Sequence, residues 1–216
     1  MLLSTAYFPP VAWLALAARE MTLSPDRVLP SHVQLEACEN YQKQSYRNRC
    51  CILAGDGVQM LQVPVVHGDS WAITDVCVDY STPWIVRTER ALDTAYETSA
   101  YYYYYKDDLF ALLEARPASL WELNLSTIRF LLEKTGVACE LSPTSAFAAP
   151  DMEADDFRFA IHPKRPDNIL AGLGLDKPYY QVFRDRMGGF TPRLSALDLL
   201  FNEGPDSIAW IKALQR

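Results

Sequence analysis

The sequence predicts an α/β protein: a mixed β-sheet flanked by helices, with a helical C-terminal part. Three observations carry this. Cys50 to Ala54 and Val58 to Val66 are apolar runs either side of Gly55-Asp56-Gly57, a turn that accepts the positive φ angles of a tight hairpin. Ser119-x-x-Glu122 is a capping box, and Trp121, Leu125, Ile128 and Leu132 form one stripe behind it. Gly204-Pro205 separates two apolar segments, Leu194 to Asn202 and Ser207 to Leu214, that read as a closing pair of helices.

The other elements follow in order. Leu2 to Phe8 reads as a first strand. Val11 to Arg19 reads as a helix started by Pro9-Pro10, since a proline in the first turn lacks only an N–H that would be unpaired there. Arg27 to Ala37 holds a strand broken by Pro30. Asn40 to Arg49 is polar and aperiodic. In Asp75 to Tyr80, Val76, Val78 and Tyr80 alternate with Cys77 and Asp79, as on a strand. Thr82-Pro83 marks a helix start, and Trp84, Ala91, Leu92, Ala95 and Tyr96 recur at helical spacing. Lys106 to Ala115 reads as a shorter helix, and Gly136 closes the capping-box helix. Pro143 to Asp167 reads as surface loop with one strand, Phe157 to Ile161, and carries the acidic patch Asp151 to Asp156.

Composition excludes several function classes. The 216 residues are 50% apolar and 22% charged, enough for a sizeable core, and one domain over residues 1–216 is expected. Asp plus Glu outnumber Lys plus Arg by 27 to 20, so no nucleic-acid partner is expected. The longest apolar run, Val11 to Ala18, is far short of the roughly 20 residues a membrane span needs. A cleaved leader is disfavoured because no basic segment precedes that run and Pro9-Pro10 interrupt it. The five cysteines contain no C-x-x-C, and adjacent Cys50 and Cys51 would point to opposite faces of a strand. Reduced thiols and a cytoplasmic location are therefore expected, with no disulfide framework and no structural zinc.

Signatures of nucleotide loops, zinc proteases and serine hydrolases are missing. Gly172-Leu173-Gly174 lacks a third glycine and a preceding strand. The three histidines, His32, His67 and His162, share no metal-ligand spacing, so no metal is expected. Cys50 or Cys77 with His162 is the conceivable nucleophile pair, although buried free cysteine is the commoner outcome. Tyr101 to Tyr105 must place some rings inside and some outside; packing between helices is the simplest use. Thr88 and Asn124 interrupt apolar helix faces, and a buried Asn124 needs partners.

The segment Asn40 to Arg49 stands apart. It holds Lys43, Arg47 and Arg49, no acid, two tyrosines and four side-chain amides in a chain of net charge −7. Such a donor-rich island suits a phosphate, carboxylate or sugar: arginine supplies a bidentate fork, lysine a point charge, amides neutral bonds. The ordinary alternative is a solvated loop pairing with surface acids.

The chain resembles the WbqC-like family of bacterial proteins. The resemblance is carried by Ala6-Tyr7-Phe8-Pro9-Pro10, by Glu39 to Cys50, by Asp79 to Trp84, by Trp121-Glu122-Leu123-Asn124, by Ile161-His162-Pro163-Lys164, by Tyr179 to Phe183 and by Leu194 to Pro205. It implies a cytoplasmic transferase of O-antigen or surface-polysaccharide biosynthesis, with aminoacyl (glycyl) transfer onto a sugar nucleotide as the candidate reaction. The alternative is a non-catalytic small-molecule or partner-binding protein on the same fold. Substrate-binding candidates are Tyr7, Asn40, Tyr41, Gln42, Lys43, Arg47, Asn48, Arg49, Trp84 and Asn124. No catalytic residue, cofactor or oligomeric state is assigned. Two departures bear on catalysis: Leu3-Ser4-Thr5 stands where polysaccharide-cluster members carry His-Gln-Pro, and Thr88 stands where many members carry histidine. If those histidines are acid or base in the family, this chain lacks both.

Overall fold

The computed structural model describes residues 1–24, 26–66, 68–149, 155–166, 168–175 and 177–212. His67, the start of the acidic patch (151–154) and residues 213–214 of the expected last helix lie outside them. The chain runs through β1 (Leu2–Leu3), α1 (Val11–Ala18), β2 (Thr22–Ser24), β3 (Arg27–Leu29), β4 (Ser31–Leu35), β5 (Arg49–Ala54) and β6 (Gly57–Gln62). It continues through β7 (Val65–Val66), β8 (Cys77–Val78), α2 (Trp84–Tyr96), α3 (Tyr102–Glu114), α4 (Leu120–Thr135) and β9 (Cys139–Pro143). It closes with α5 (Ile169–Gly172), α6 (Ala196–Glu203), a 3-10 turn over Gly204–Asp206 and α7 (Ser207–Lys212). The α/β class and the helical C-terminal part are as expected.

The largest sheet is parallel, in the order β1-β4-β9, with Leu3 opposite Leu35 and Val33 opposite Leu141. Its middle strand, β4, buries Ser31, Val33 and Leu35 and exposes His32 and Gln34. Three antiparallel pairs, β2-β3, β5-β6 and β7-β8, stand beside it. All eight residues of α1 are buried, and the helix packs against β4, α5, α6 and α7. A helix covered on every side needs no polar face, which explains its lack of an amphipathic period. The capping box forms as read: Ser119 Oγ accepts from Glu122 N at 3.1 Å, and Glu122 reaches back to Ser119 N.

Several elements differ from expectation. The first strand ends at Leu3, because Ser4–Pro10 turns inward: Tyr7 N donates to Tyr46 O, and Phe8 takes φ 40°. The return strand of the hairpin ends at Gln62, before Pro64, which has no N–H for a ladder. The alternating Asp75–Tyr80 segment gives only Cys77–Val78, since its neighbours bond to the start of α4 (Leu120 N to Val76 O, Val78 N to Ala118 O). α2 starts one residue later than read, with Pro83 at its N-cap. α3 takes in most of the tyrosine run, because Tyr102 is buried against Tyr96 and Phe201 while Tyr103 and Tyr104 face outward. Phe157–Ile161 forms turns, not a strand; the strand in this region is β9, whose pairing with β4 is non-local. Gly204 has φ 54°, and a Cβ there would stand 2.4 Å from the Tyr101 ring, so only glycine fits between α6 and α7.

One buried carboxylate ties the C-terminal part to the hairpin. Asp198 on α6 accepts from Tyr96 (2.9 Å), Tyr179 (2.7 Å) and Gln181 (3.0 Å). Tyr96 Oη also accepts from Leu53 N on β5, and Gln181 exchanges two bonds with Thr191. The segment 179–195 is thereby held against β5. Burial pushes the Asp198 carboxyl up to about 6, with the three donors opposing it. A folded-state value above the unfolded one means that its stabilising effect is complete below about pH 4 and is lost as pH rises through 6. Urea melts should therefore show the stability gap between wild type and Asp198→Asn shrinking by on the order of 2–3 kcal/mol from about pH 4 to about pH 7. A gap independent of pH would contradict this.

Candidate functional site

The island Asn40 to Arg49 links β4 to β5, and its residues divide into three sets. The first set is buried and internally paired. Arg47 and Glu39 are both buried. Arg47 Nε donates to Glu39 Oε1 at 2.8 Å, and Nη2 donates to Glu39 Oε2 and to Ser4 Oγ. Asn48 Nδ2 donates to Val63 O, and Asn124 Nδ2 donates to Arg47 O (2.8 Å) and Thr5 Oγ1. Arg47, Asn48 and Asn124 therefore hold the loop from beneath.

The second set lines a cleft of about 320 Å³. Asn40 and Gln42 meet Cys38, Glu39, Phe147 and Phe159 there. Phe147 and Phe159 are both substantially exposed. Apolar ring faces beside neutral amides suit a sugar ring, which offers apolar C–H faces and equatorial hydroxyls. Lys43 lies outside this cleft, with its ammonium 5.0 Å from the centre of the Trp71 ring.

The third set is cationic. Arg49 and Arg193 flank the half-buried Cys51; burial raises that thiol's pKa, and both guanidiniums oppose the rise, Arg193 more strongly. Arg193 Nη1 donates to Arg165 O at 3.2 Å. Lys164 Nζ donates to Gln44 Oε1 in the loop itself. His162 feels Arg165, Arg47 and Lys164, and burial together with these cations holds its pKa below 6.5. Its Nδ1 accepts from Lys164 N at 3.1 Å, which leaves the ring proton on Nε2. Among the described residues, Arg49, Lys164, Arg165 and Arg193 form no ion pair. Gln44 (φ 61°) and Arg193 (φ 62°) hold left-handed backbone, a conformation that costs a non-glycine residue free energy and recurs at binding sites.

Tyr7, Trp84 and Tyr41 complete the sequence-predicted set. Tyr7 is buried with its ring centre 6.4 Å from that of Trp84; Thr88 lies beside its hydroxyl without completing a hydrogen bond. Tyr41 is buried near Arg49, Arg47 and Asn48, and burial raises its hydroxyl pKa against those cations. Among the described residues, buried polar atoms without a partner include Tyr7 Oη, Asn48 Oδ1, Arg49 Nε, Trp84 Nε1 and Asn124 Oδ1. Such atoms are rare in folded proteins; Asn48 Oδ1 and Arg49 Nε belong to the loop and Asn124 holds it, whereas Glu89 Oε1, Ser99 Oγ and Asn202 Oδ1 lie elsewhere.

Three cations and a histidine that belong to this face, His162, Lys164, Arg165 and Arg193, were not among the substrate-binding candidates; the sequence offers His162 only as the partner of a cysteine. The signal for the first three was local: His162-Pro163-Lys164-Arg165 is a cationic stretch just after the acidic patch. Nothing local singles out Arg193. The cysteine–histidine pairs do not form. Cys50 is buried near Tyr7 on the opposite face of β5 from Cys51, and burial raises its thiol pKa far above the ordinary value. Cys77 is exposed, with its sulfur directed at Asp75 O. Among the described residues no three His, Cys, Asp or Glu side chains converge as metal ligands, and no helix is long and apolar enough to cross a membrane.

Removing Arg47 leaves Glu39 buried with Ser4 as its remaining partner. Arg47→Ala should cost about 3–5 kcal/mol in urea melts, because an uncompensated buried charge remains. Arg49→Ala should change stability by less than about 1 kcal/mol. Equal losses in the two variants would show that Arg49 is structural as well.

The WbqC-like protein family model matches residues 31–165, more than half of the chain, so the chain belongs to that family. The matched stretch contains the whole island and His162 to Arg165. The chain is also similar to the uncharacterized protein Rv1507c of Mycobacterium tuberculosis, 24% identical over 194 residues that cover 80% of this chain and 84% of that protein. No solved structure matches significantly.

Proposed function

With membership of the WbqC-like family as the premise, we propose that this protein binds a phosphorylated sugar, in the form of a sugar nucleotide, along the Asn40–Arg49 loop. The cation face beside Arg49 takes the phosphates, and the Asn40, Gln42, Phe147 and Phe159 cleft takes a sugar ring. The observation that carries this reading is the convergence of Arg49, Lys164, Arg165 and Arg193 about one loop, none of them in an ion pair among the described residues, in a chain with seven more acids than bases. An unpaired guanidinium cluster is costly to assemble without a counter-charge, and a diphosphate supplies one with matching bidentate geometry.

The reaction proposed for this site is transfer in cytoplasmic surface-polysaccharide assembly, such as O-antigen biosynthesis, with an aminoacyl group passed to the bound sugar. His162 is the titratable group nearest the cations. Its ring, however, is arranged as an Nε2–H donor, which serves to hold a phosphate oxygen and not to remove a proton. Ser4 and Thr5, which occupy the places of two of the expected His-Gln-Pro residues, hold Arg47, Glu39 and Asn124 in place. These two observations favour the second reading, a non-catalytic binding protein on the same fold.

Isothermal titration with UDP-N-acetylglucosamine, other sugar nucleotides and inorganic pyrophosphate tests the site. Arg49→Ala and Arg193→Ala should each weaken binding at least tenfold, about 1.4 kcal/mol, with melting unchanged. Affinity should also rise as pH falls below 6.5, as His162 gains its proton, and His162→Gln should remove that rise. Wild type that binds none of these ligands, or variants that bind as wild type does, would end the proposal. Binding without product formation from any aminoacyl donor would select the non-catalytic reading.

A further inference from the structure

A second cleft, of about 310 Å³, lies on another side of the hairpin. One wall is Gln59, Met60, Leu61 and Gln62, four consecutive residues of β6. Successive side chains of a strand alternate between its faces, so a wall of four in a row is the edge of the strand and not a face. The other edge of β6 pairs with β5, and Gln59–Gln62 make no main-chain hydrogen bond outside that pairing among the described residues. A row of free N–H and C=O groups therefore borders this cleft.

The opposite wall is the start of α2, contributing Thr82, Trp84, Arg87 and Thr88. Pro83 at the N-cap provides no side-chain acceptor, and no acidic residue sits in the first turn. Trp84 N donates to Thr82 O and Arg87 N to Pro83 O, which leaves the Ile85 and Val86 amides to attract negative charge. Arg87 lines the cleft, is exposed and forms no ion pair among the described residues. Trp84 lines it too; it is 3% exposed, and its indole N–H has no acceptor. The lining contains no carboxylate. One end is thus rich in donors and positive, and one side is an open strand edge.

We propose that this cleft binds an extended peptide segment ending in a free carboxylate. The segment adds as a strand to the open edge of β6. Its terminal carboxylate rests at the start of α2 beside Arg87. Main-chain pairing provides affinity without demanding a particular sequence, and the positive end selects a chain terminus over an internal segment. Exposed Val58 and Met60 on the same strand offer apolar contact to alternate side chains. The proposal does not rest on sugar-nucleotide binding: the cation face reaches this cleft through Arg49 Nη1, 3.6 Å from Met60 Sδ, while Lys164, Arg165 and Arg193 do not line it.

Equilibrium dialysis of the full chain against a mixture of acetylated tetrapeptides with randomised side chains, read by mass spectrometry, is the test. Free-carboxylate members should be retained, and the same mixture capped as C-terminal amides should be retained at least tenfold less. N-methylation of alternate peptide amides should abolish retention. Arg87→Gln should weaken it at least tenfold, while Arg193→Ala should leave it unchanged. The proposal is overturned if no carboxylate peptide is retained, if amides are held equally, or if N-methylation or Arg87→Gln has no effect. Loss in Arg193→Ala would also overturn it, by showing one site in place of two.

Discussion

Two buried carboxylates, Glu36 and Glu39, set the terms for the structure around the loop. Both follow the middle strand of the main sheet into the interior. An unpaired carboxylate in such a place is strongly destabilising, so each must be met by a cation and by further donors. Arg158 meets Glu36 and is itself gripped by Asp156 through two bonds, while Thr144 and Cys38 N donate to Glu36 as well. Arg47 meets Glu39. Ser4 joins the two knots, donating to Glu39 and to Arg158 O and accepting from Arg47. Segments from four parts of the chain, around residues 4, 36–48, 144 and 156–158, are thereby fixed to one another.

This arrangement decides which charges are available for function. Arg47 is consumed by Glu39, which makes the loop rigid from beneath. The cations left over, Arg49 on β5, Arg193 before α6, and Lys164 and Arg165 in the loop after the acidic patch, gather on the outer side. The Asp198 network serves the same end, because it clamps the segment 179–195 to β5 and so places Arg193 beside Cys51. The hairpin β5-β6 then offers two different environments: a phosphate-like one near Arg49, and a peptide-like one along the free edge of β6. Each has its own positive group, so ligands at the two need not compete for charge.

Much of this was legible locally. The Gly55-Asp56-Gly57 hairpin, the capping box at Ser119 and the break at Gly204-Pro205 are short-range signals whose geometry is set within a few residues. The island Asn40 to Arg49 was legible as chemistry, since donors without acids stand out in an acidic chain. Its internal division was not. Arg47 and Arg49 look alike in sequence, yet one is buried against Glu39 and the other forms no ion pair among the described residues, because Arg47 lies in the turn before β5 within reach of a partner eight residues back while Arg49 begins the strand. β9 escaped detection because its pairing with β4 joins residues more than a hundred apart. The helix expected at Val11 to Arg19 forms over Val11–Ala18, and it is uniformly apolar because protein surrounds it on every side.

Short-range signals set the β5-β6 hairpin, the capping box at Ser119, the break at Gly204-Pro205, the membership of the WbqC-like family and the location of a donor-rich loop. These depend on backbone preferences, apolar periodicity and residue chemistry, all of which act over short stretches of chain. Tertiary structure alone decided which cations remain free, how Arg193 and Lys164 come to share a face with Arg49, and that one edge of β6 lies open against the start of α2. Each of these is a matter of burial and of charge pairing between distant segments. A charge acquires its role only when folding settles which opposite charge reaches it first.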